Sequence, residues 1–175
     1  MKILTLPQLH QTYEYDCGAK ILQTVLAYYG IEIREEHLLK NAKTTKDGTL
    51  VKNMVSVFKK YGLKTDSREM NITDVKNYLN KKIPVVLLLQ AWSERKNTDW
   101  KNDIKDGHYV VAIGYTKDRV IFEDPYSFHR TYLKYKELED RWHDIDPNGK
   151  KYFHHGIAVF GKIPKFKSEK IIHMD

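Results

Sequence analysis

The apolar residues of this chain change their spacing at Pro84, and that change restricts the fold more than any other feature. Before Pro84 they recur at intervals of three and four. After it they gather into short blocks rich in β-branched and aromatic residues. Helices first and strands afterwards point to an α+β domain rather than to alternating βαβ units.

The first helical stretch is the sharpest. Ile21, Leu22, Val25, Leu26 and Tyr29 lie on one face, Asp16 stands at the N-cap, and Gly30 can end the run in the left-handed conformation. A buried helix is therefore expected over 17–29, with Cys17 in its first turn. Further helices are expected over 34–41, over 50–61 with Leu50, Met54, Val57 and Tyr61 as its stripe, and over 73–80. Strands are expected over 85–90, 109–115 and 119–123, with a tight turn at Lys117-Asp118. A hairpin turning there pairs positions whose numbers sum to about 233, which makes His108 and Asp124 neighbours.

The chain has 175 residues, 41% of them hydrophobic, enough for one sizeable core, so residues 1–175 are read as a single domain. A net charge of +7 comes from 30 basic residues interleaved with 23 acidic ones, with no accompanying nucleic-acid module, so a solvated basic surface is expected and nucleic acid is not. One cysteine excludes an internal disulfide framework and a multi-cysteine zinc site. The longest apolar run, Val85 to Leu89, is strand-sized; no membrane span is expected, and a cytoplasmic address is the default.

That single cysteine carries the chemistry. A thiol at a helix head, followed by Gly18, faces unsatisfied N–H groups and the positive end of the helix dipole, both of which favour thiolate. The adjacent Asp16 carboxylate must then turn away from the sulfur to cap the helix. Of eight histidines, His108 stands at the mouth of a central strand beside a carboxylate, which suits a base whose second ring nitrogen is held by Asp124. Gln11, six residues before the thiol, can supply an oxyanion donor together with the Cys17 backbone N–H.

Three other features were weighed. Asp144, Asp146 and Asn148-Gly149 open like a calcium loop, but the twelfth position is His155 and Pro147 interrupts, so the segment reads as a turn before a strand from Tyr152. His143, His154 and His155 follow no metal-ligand spacing, and neither a metal nor a cofactor is expected. Trp92 and Trp100 bracket a polar loop that either borders the cleft or anchors locally.

The run from Gln11 to Ala19, followed by Leu22 and by Tyr28-Tyr29-Gly30, resembles the start of the C39 family of papain-like cysteine peptidases, the bacteriocin-processing endopeptidases. The resemblance continues at His108-Tyr109-Val110-Val111 and Asp124-Pro125, in the family's order of Cys, His and Asp. It implies a papain-like fold, a Cys17-His108-Asp124 triad, an acyl-enzyme intermediate and a peptide or protein substrate. Best-known members cleave leader peptides after a Gly-Gly pair while fused to an ABC transporter, whereas this sequence has neither a membrane segment nor a P-loop pattern. The same fold also hosts acyltransferases and inactive binding modules, and neither spacing nor composition separates these from a peptidase. Oligomeric state stays open.

Overall fold

The computed structural model describes residues 3–174. In chain order the elements are α1 (Cys17–Tyr28), α2 (Glu35–Asn41), α3 (Val51–Lys60), β1 (Lys64–Glu69), α4 (Ile72–Asn80), β2 (Val85–Gln90), β3 (Gly107–Tyr115), β4 (Arg119–Glu123), β5 (Thr131–Lys134), α5 (Tyr135–Arg141), β6 (His143–Ile145), β7 (Lys151–Phe153) and β8 (His155–Phe160). Six strands form one antiparallel sheet in the order β1-β8-β2-β3-β4-β5, and β6 pairs with β7 alone. The architecture is the expected α+β arrangement of helices against an antiparallel sheet.

Helix α1 is the hinge of the design. Ten of its twelve residues are buried, because it packs on β3 on one side and on α2 and α3 on others. It ends at Tyr29, and Gly30 follows at φ 76°, the left-handed region that an L side chain resists. Its beginning departs from expectation. Asp16 occupies the N-cap position, yet its side chain makes no cap hydrogen bond. The carboxylate instead turns back to the preceding loop, where Oδ2 accepts from the Thr12 and Tyr13 backbone N–H groups at 3.1 Å each.

Every residue of β2 is buried, and so are seven of the nine in β3, so the middle of the sheet is covered on both faces. This explains why those strands appear as continuous apolar blocks rather than alternating ones. The β3–β4 hairpin turns at Lys117-Asp118 as its residues predict, closed by Thr116 N–H donating to Arg119 O at 2.9 Å. Its register is offset by one residue from the expected alignment: Val111 faces Glu123, and a bulge between Ala112 and Gly114 shifts the rest. On α3 the buried face is Val51, Met54, Val57 and Phe58, not the stripe through Leu50 and Tyr61, because Leu50 caps the helix in extended conformation.

Strand β1 was not foreseen. Its sequence, Lys-Thr-Asp-Ser-Arg-Glu, has no apolar member, and it holds its place at the sheet edge by backbone pairing to β8 and by Arg68 bonding Asp66 and Asp74. No helix among the described residues is long and apolar enough to cross a membrane.

Candidate active site

Three buried side chains meet where α1 faces the open ends of β3 and β4. Cys17 begins α1, His108 is the second residue of β3, and Asp124 follows the last residue of β4. Their exposures are 7%, 6% and 5%. His108 Nε2 donates to Asp124 Oδ1 at 2.8 Å, and the Cys17 side chain acts on the same ring. Burial pulls the His108 pKa down, but hydrogen bonding and attraction to Asp124 and Cys17 outweigh it and push the value up to about 9. At neutral pH the ring is therefore cationic.

Asp124 is fully engaged. Oδ1 accepts from His108 and from the Tyr126 backbone N–H at 3.0 Å, while Oδ2 accepts from Trp92 Nε1 at 3.0 Å and Thr131 Oγ1 at 3.1 Å. Burial pushes its pKa up, but the His108 bond and charge, with Tyr126 and Trp92, hold the carboxyl below the usual range. Trp92 thus borders the site and also anchors its loop. Its φ of 61° is rare for an aromatic residue, and its ring stacks on Tyr126 at 4.8 Å. Thr131 carries no sequence signal for this role, since it reaches Asp124 only through the fold of the β4–β5 connection.

The Gln11 loop is tied to the same place from the other direction. Gln11 N–H donates to Pro125 O at 2.8 Å, directly after Asp124, and Gln11 Nε2 donates one N–H to Tyr13 O at 2.9 Å. The amide oxygen Oε1 is buried without a hydrogen-bond partner among the described groups. Because Asp16 does not cap α1, the N–H groups of the first helical turn keep their valences.

Beneath the loop lies a polar cluster that the sequence did not reveal. Thr12 Oγ1 donates to Glu35 Oε2 at 3.0 Å, and buried Lys20 reaches the same oxygen at 3.0 Å. Asp16 Oδ1 and Glu35 Oε1 are buried and lack hydrogen-bond partners among the other described groups. Burial first, then the Glu35 side chain, raise the Asp16 pKa; the Glu35 pKa is raised by burial but lowered further by bonds from Lys20 and Asp16. Burial thus disfavours the charged form of Asp16, while Lys20 favours that of Glu35.

Gly18 has a packing role. A Cβ there would lie 2.7 Å from Thr49 Cβ and 3.3 Å from the Tyr109 ring, and Tyr109 OH donates to Thr49 O at 2.8 Å. Close contact here seats the helix head against β3. Beside Cys17 an open cleft of about 580 Å³ runs between Tyr15, Thr49, Leu88, Gly107, Tyr109 and Asp144.

Residues 5–145 match the peptidase C39 family. The chain belongs to that family. As a C39 chain it is a cysteine-type peptidase, and its fold is that of the family's solved domains. It is 29% identical over 115 residues to the pediocin PA-1 transport/processing ATP-binding protein PedD of Pediococcus acidilactici, covering 66% of this chain and 14% of that protein. The C39 chain thus spans about a seventh of the length of that relative. Among solved structures, the peptidase domain of Streptococcus ComA, a bifunctional ABC transporter, superposes with a TM-score of 0.67 at 23% identity, covering 91% of this chain and 99% of that one. A double glycine motif protease from an AMS/PCAT transporter, solved with a leader peptide, gives 0.65 at 18% identity, covering 94% and 95%.

Proposed function

We propose that this C39 domain, read as one unit over residues 1–175, cleaves peptide bonds with Cys17 as nucleophile, His108 as proton shuttle and Asp124 as the group that holds the imidazole. The reading rests above all on the buried His108–Asp124 bond at 2.8 Å with Cys17 acting on the same ring. Cys17 Sγ attacks the scissile carbonyl carbon, and the electron pair moves to the carbonyl oxygen. The Cys17 backbone N–H and the Gln11 side-chain N–H stabilise that oxyanion, a contribution of roughly a hundred- to a thousand-fold per donor. Collapse breaks the C–N bond as the His108 imidazolium gives its Nδ1 proton to the leaving amine. Water then attacks the thioester, His108 takes its proton, and the acid leaves with Cys17 restored.

The substrate is a peptide or protein segment able to lie along the cleft beside Cys17. Leader peptides cut at a double glycine, as in the related protease solved with one, are the first class to try. A nucleophilic thiol with no second cysteine to protect it as a disulfide is best kept in a reducing compartment, which supports a cytoplasmic site of action.

Mass-spectrometric profiling of a diverse peptide pool tests the proposal. Fragments should appear with the wild type and vanish with Cys17→Ala, and Cys17 should be alkylated under mildly acidic conditions faster than free cysteine. Equal fragments from both proteins, or a thiol no faster than free cysteine and indifferent to His108→Ala, would overturn the nucleophile assignment.

A further inference from the structure

The β6–β7 hairpin stands outside the main sheet, and its turn at Asn148-Gly149 needs a positive φ of 80° at the glycine. This segment looked like the opening of a calcium loop in sequence. Folded, it delivers Asp144 to the cleft. Asp144 Oδ1 accepts from Gln90 Nε2 at 2.8 Å. Gln90 is itself fully buried and immobilised, donating also to His143 O at 3.0 Å and accepting from Asp106 N–H at 2.9 Å. The other carboxylate oxygen lies against the backbone of Gly107, the residue before His108: a Cβ on Gly107 would fall 2.6 Å from Asp144 Oδ2.

Asp144 is thus a half-buried carboxylate, clamped on one oxygen, in the wall of the cleft that holds the thiol. Burial pushes its pKa up to about 6, against hydrogen bonds from Ile145 N–H and Gln90 that lower it, so it is mostly ionised at neutral pH. His143 next to it attracts its charge, but among the described residues no Lys, Arg or His lies within 4 Å of it to form an ion pair. A carboxylate kept partly out of water without a cation is costly unless a ligand supplies one. The surrounding field has the right sign, since Glu14, Asp47 and Asp146 line the same cleft with only Lys46 and Lys105 opposing them, in a chain whose net charge is +7.

We propose that Asp144 determines specificity by selecting a substrate with a cationic nitrogen, from a lysine or arginine side chain or a free N-terminus, in the subsite on the Gly107 side of Cys17. The inference rests on the peptidase reading only for the location of the scissile bond, so it is tested by binding as well as by cleavage.

A position-randomised peptide pool, in N-acetylated and free forms, is digested by the wild type and separately retained on immobilised Cys17→Ala protein. Lysine or arginine should be enriched over norleucine and acetyl-lysine by roughly tenfold or more at one position, as a charge-assisted hydrogen bond predicts. Asp144→Asn, or Asp144→Ser if the first variant does not fold, should bring that ratio close to one. Enrichment confined to the free-amine pool assigns the subsite to an N-terminal ammonium; enrichment in both assigns it to a side chain. No cationic preference in either readout, or a preference that survives both variants, overturns the inference. If the wild type releases no fragment while retention still favours cations through Asp144, the peptidase reading fails and the subsite stands. Fragments without that preference mean the reverse.

Discussion

Two buried aspartates flank the candidate site, and they are held in opposite ways. Asp124, at the end of β4, receives four hydrogen bonds, two on each oxygen. Asp16, at the head of α1, receives two, both on Oδ2, while Oδ1 is buried without a hydrogen-bond partner among the described groups. Burial pushes both pKa values up; donors overcome it at Asp124 and not at Asp16. The charge of a buried carboxylate thus follows its donors rather than its depth. The sheet side of the site is a fixed ion pair, and the loop side is a buried carboxyl whose bonds from Thr12 and Tyr13 order the segment carrying Gln11.

The most direct way to break this contrast is Asp124→Asn, which keeps size and removes charge. It should slow turnover by roughly ten-thousand-fold, because the amide can no longer hold the imidazole tautomer or stabilise its cation. The same variant has a stability signature with a definite sign. His108 is raised from its usual 6.5 to about 9, so its contribution is fully present below 6.5 and is lost as pH rises through about 9. Asp124 is lowered, so its contribution is present above the ordinary aspartate range and is lost as pH falls through the depressed value. Denaturant unfolding of the wild type should therefore show about 3 kcal/mol less stability above pH 9 than near neutrality. In Asp124→Asn that slope should shrink. A variant with near-normal turnover and an unchanged slope would reduce Asp124 to a turn residue.

Gln11→Ala comes next in size. Losing one oxyanion donor should cost roughly a hundred- to a thousand-fold in kcat. The KM should change little, since the interaction forms only as negative charge develops. A loss confined to KM would show that Gln11 binds the ground state instead.

How much of this was readable beforehand follows the range of each signal. Local periodicity located α1 and β2, because Ile21 to Tyr29 and Val85 to Leu89 are patterned by their own neighbours. Turn chemistry at Lys117-Asp118 brought His108 to Asp124 within one residue of the true register. Strand β1 escaped because an edge strand is held by pairing partners ninety residues away and can be wholly polar. The local preference of Asp16 is to cap the helix. Its actual partners are the Thr12 and Tyr13 N–H groups and, across nineteen positions, Glu35. Only the packing of α2 against α1 brings that last pair together. Asp144 escapes the sequence for the same reason: its sequence neighbours describe a turn, while its position in the cleft depends on Gln90 and Gly107.

The sharpest comparison applies the same chemical change to the loop side. Glu35→Gln, like Asp124→Asn, exchanges a carboxylate for an amide of equal size, yet it should alter kcat by less than about threefold. In the wild type burial and the Glu35 side chain raise the Asp16 pKa, while bonds from Lys20 and Asp16 hold that of Glu35 down. In the variant Asp16 loses the Glu35 carboxyl that helps raise its pKa, so its charged form is favoured and offsets part of the charge removed beside Lys20. The new amide can donate to the unpartnered Asp16 Oδ1 while its oxygen still accepts from Thr12 and Lys20. The bonds from Thr12 and Tyr13 N–H to Asp16 then persist, and with them the position of Gln11. A raised carboxyl pKa gives stability that is present at low pH and lost as pH rises through the raised value, so that component of the pH dependence should shrink in Glu35→Gln to the part that burial alone sustains. Steady-state kinetics alongside Asp124→Asn decides the matter: if the two substitutions cost alike, the loop side depends on a fixed charge as the sheet side does, and the contrast between them is lost.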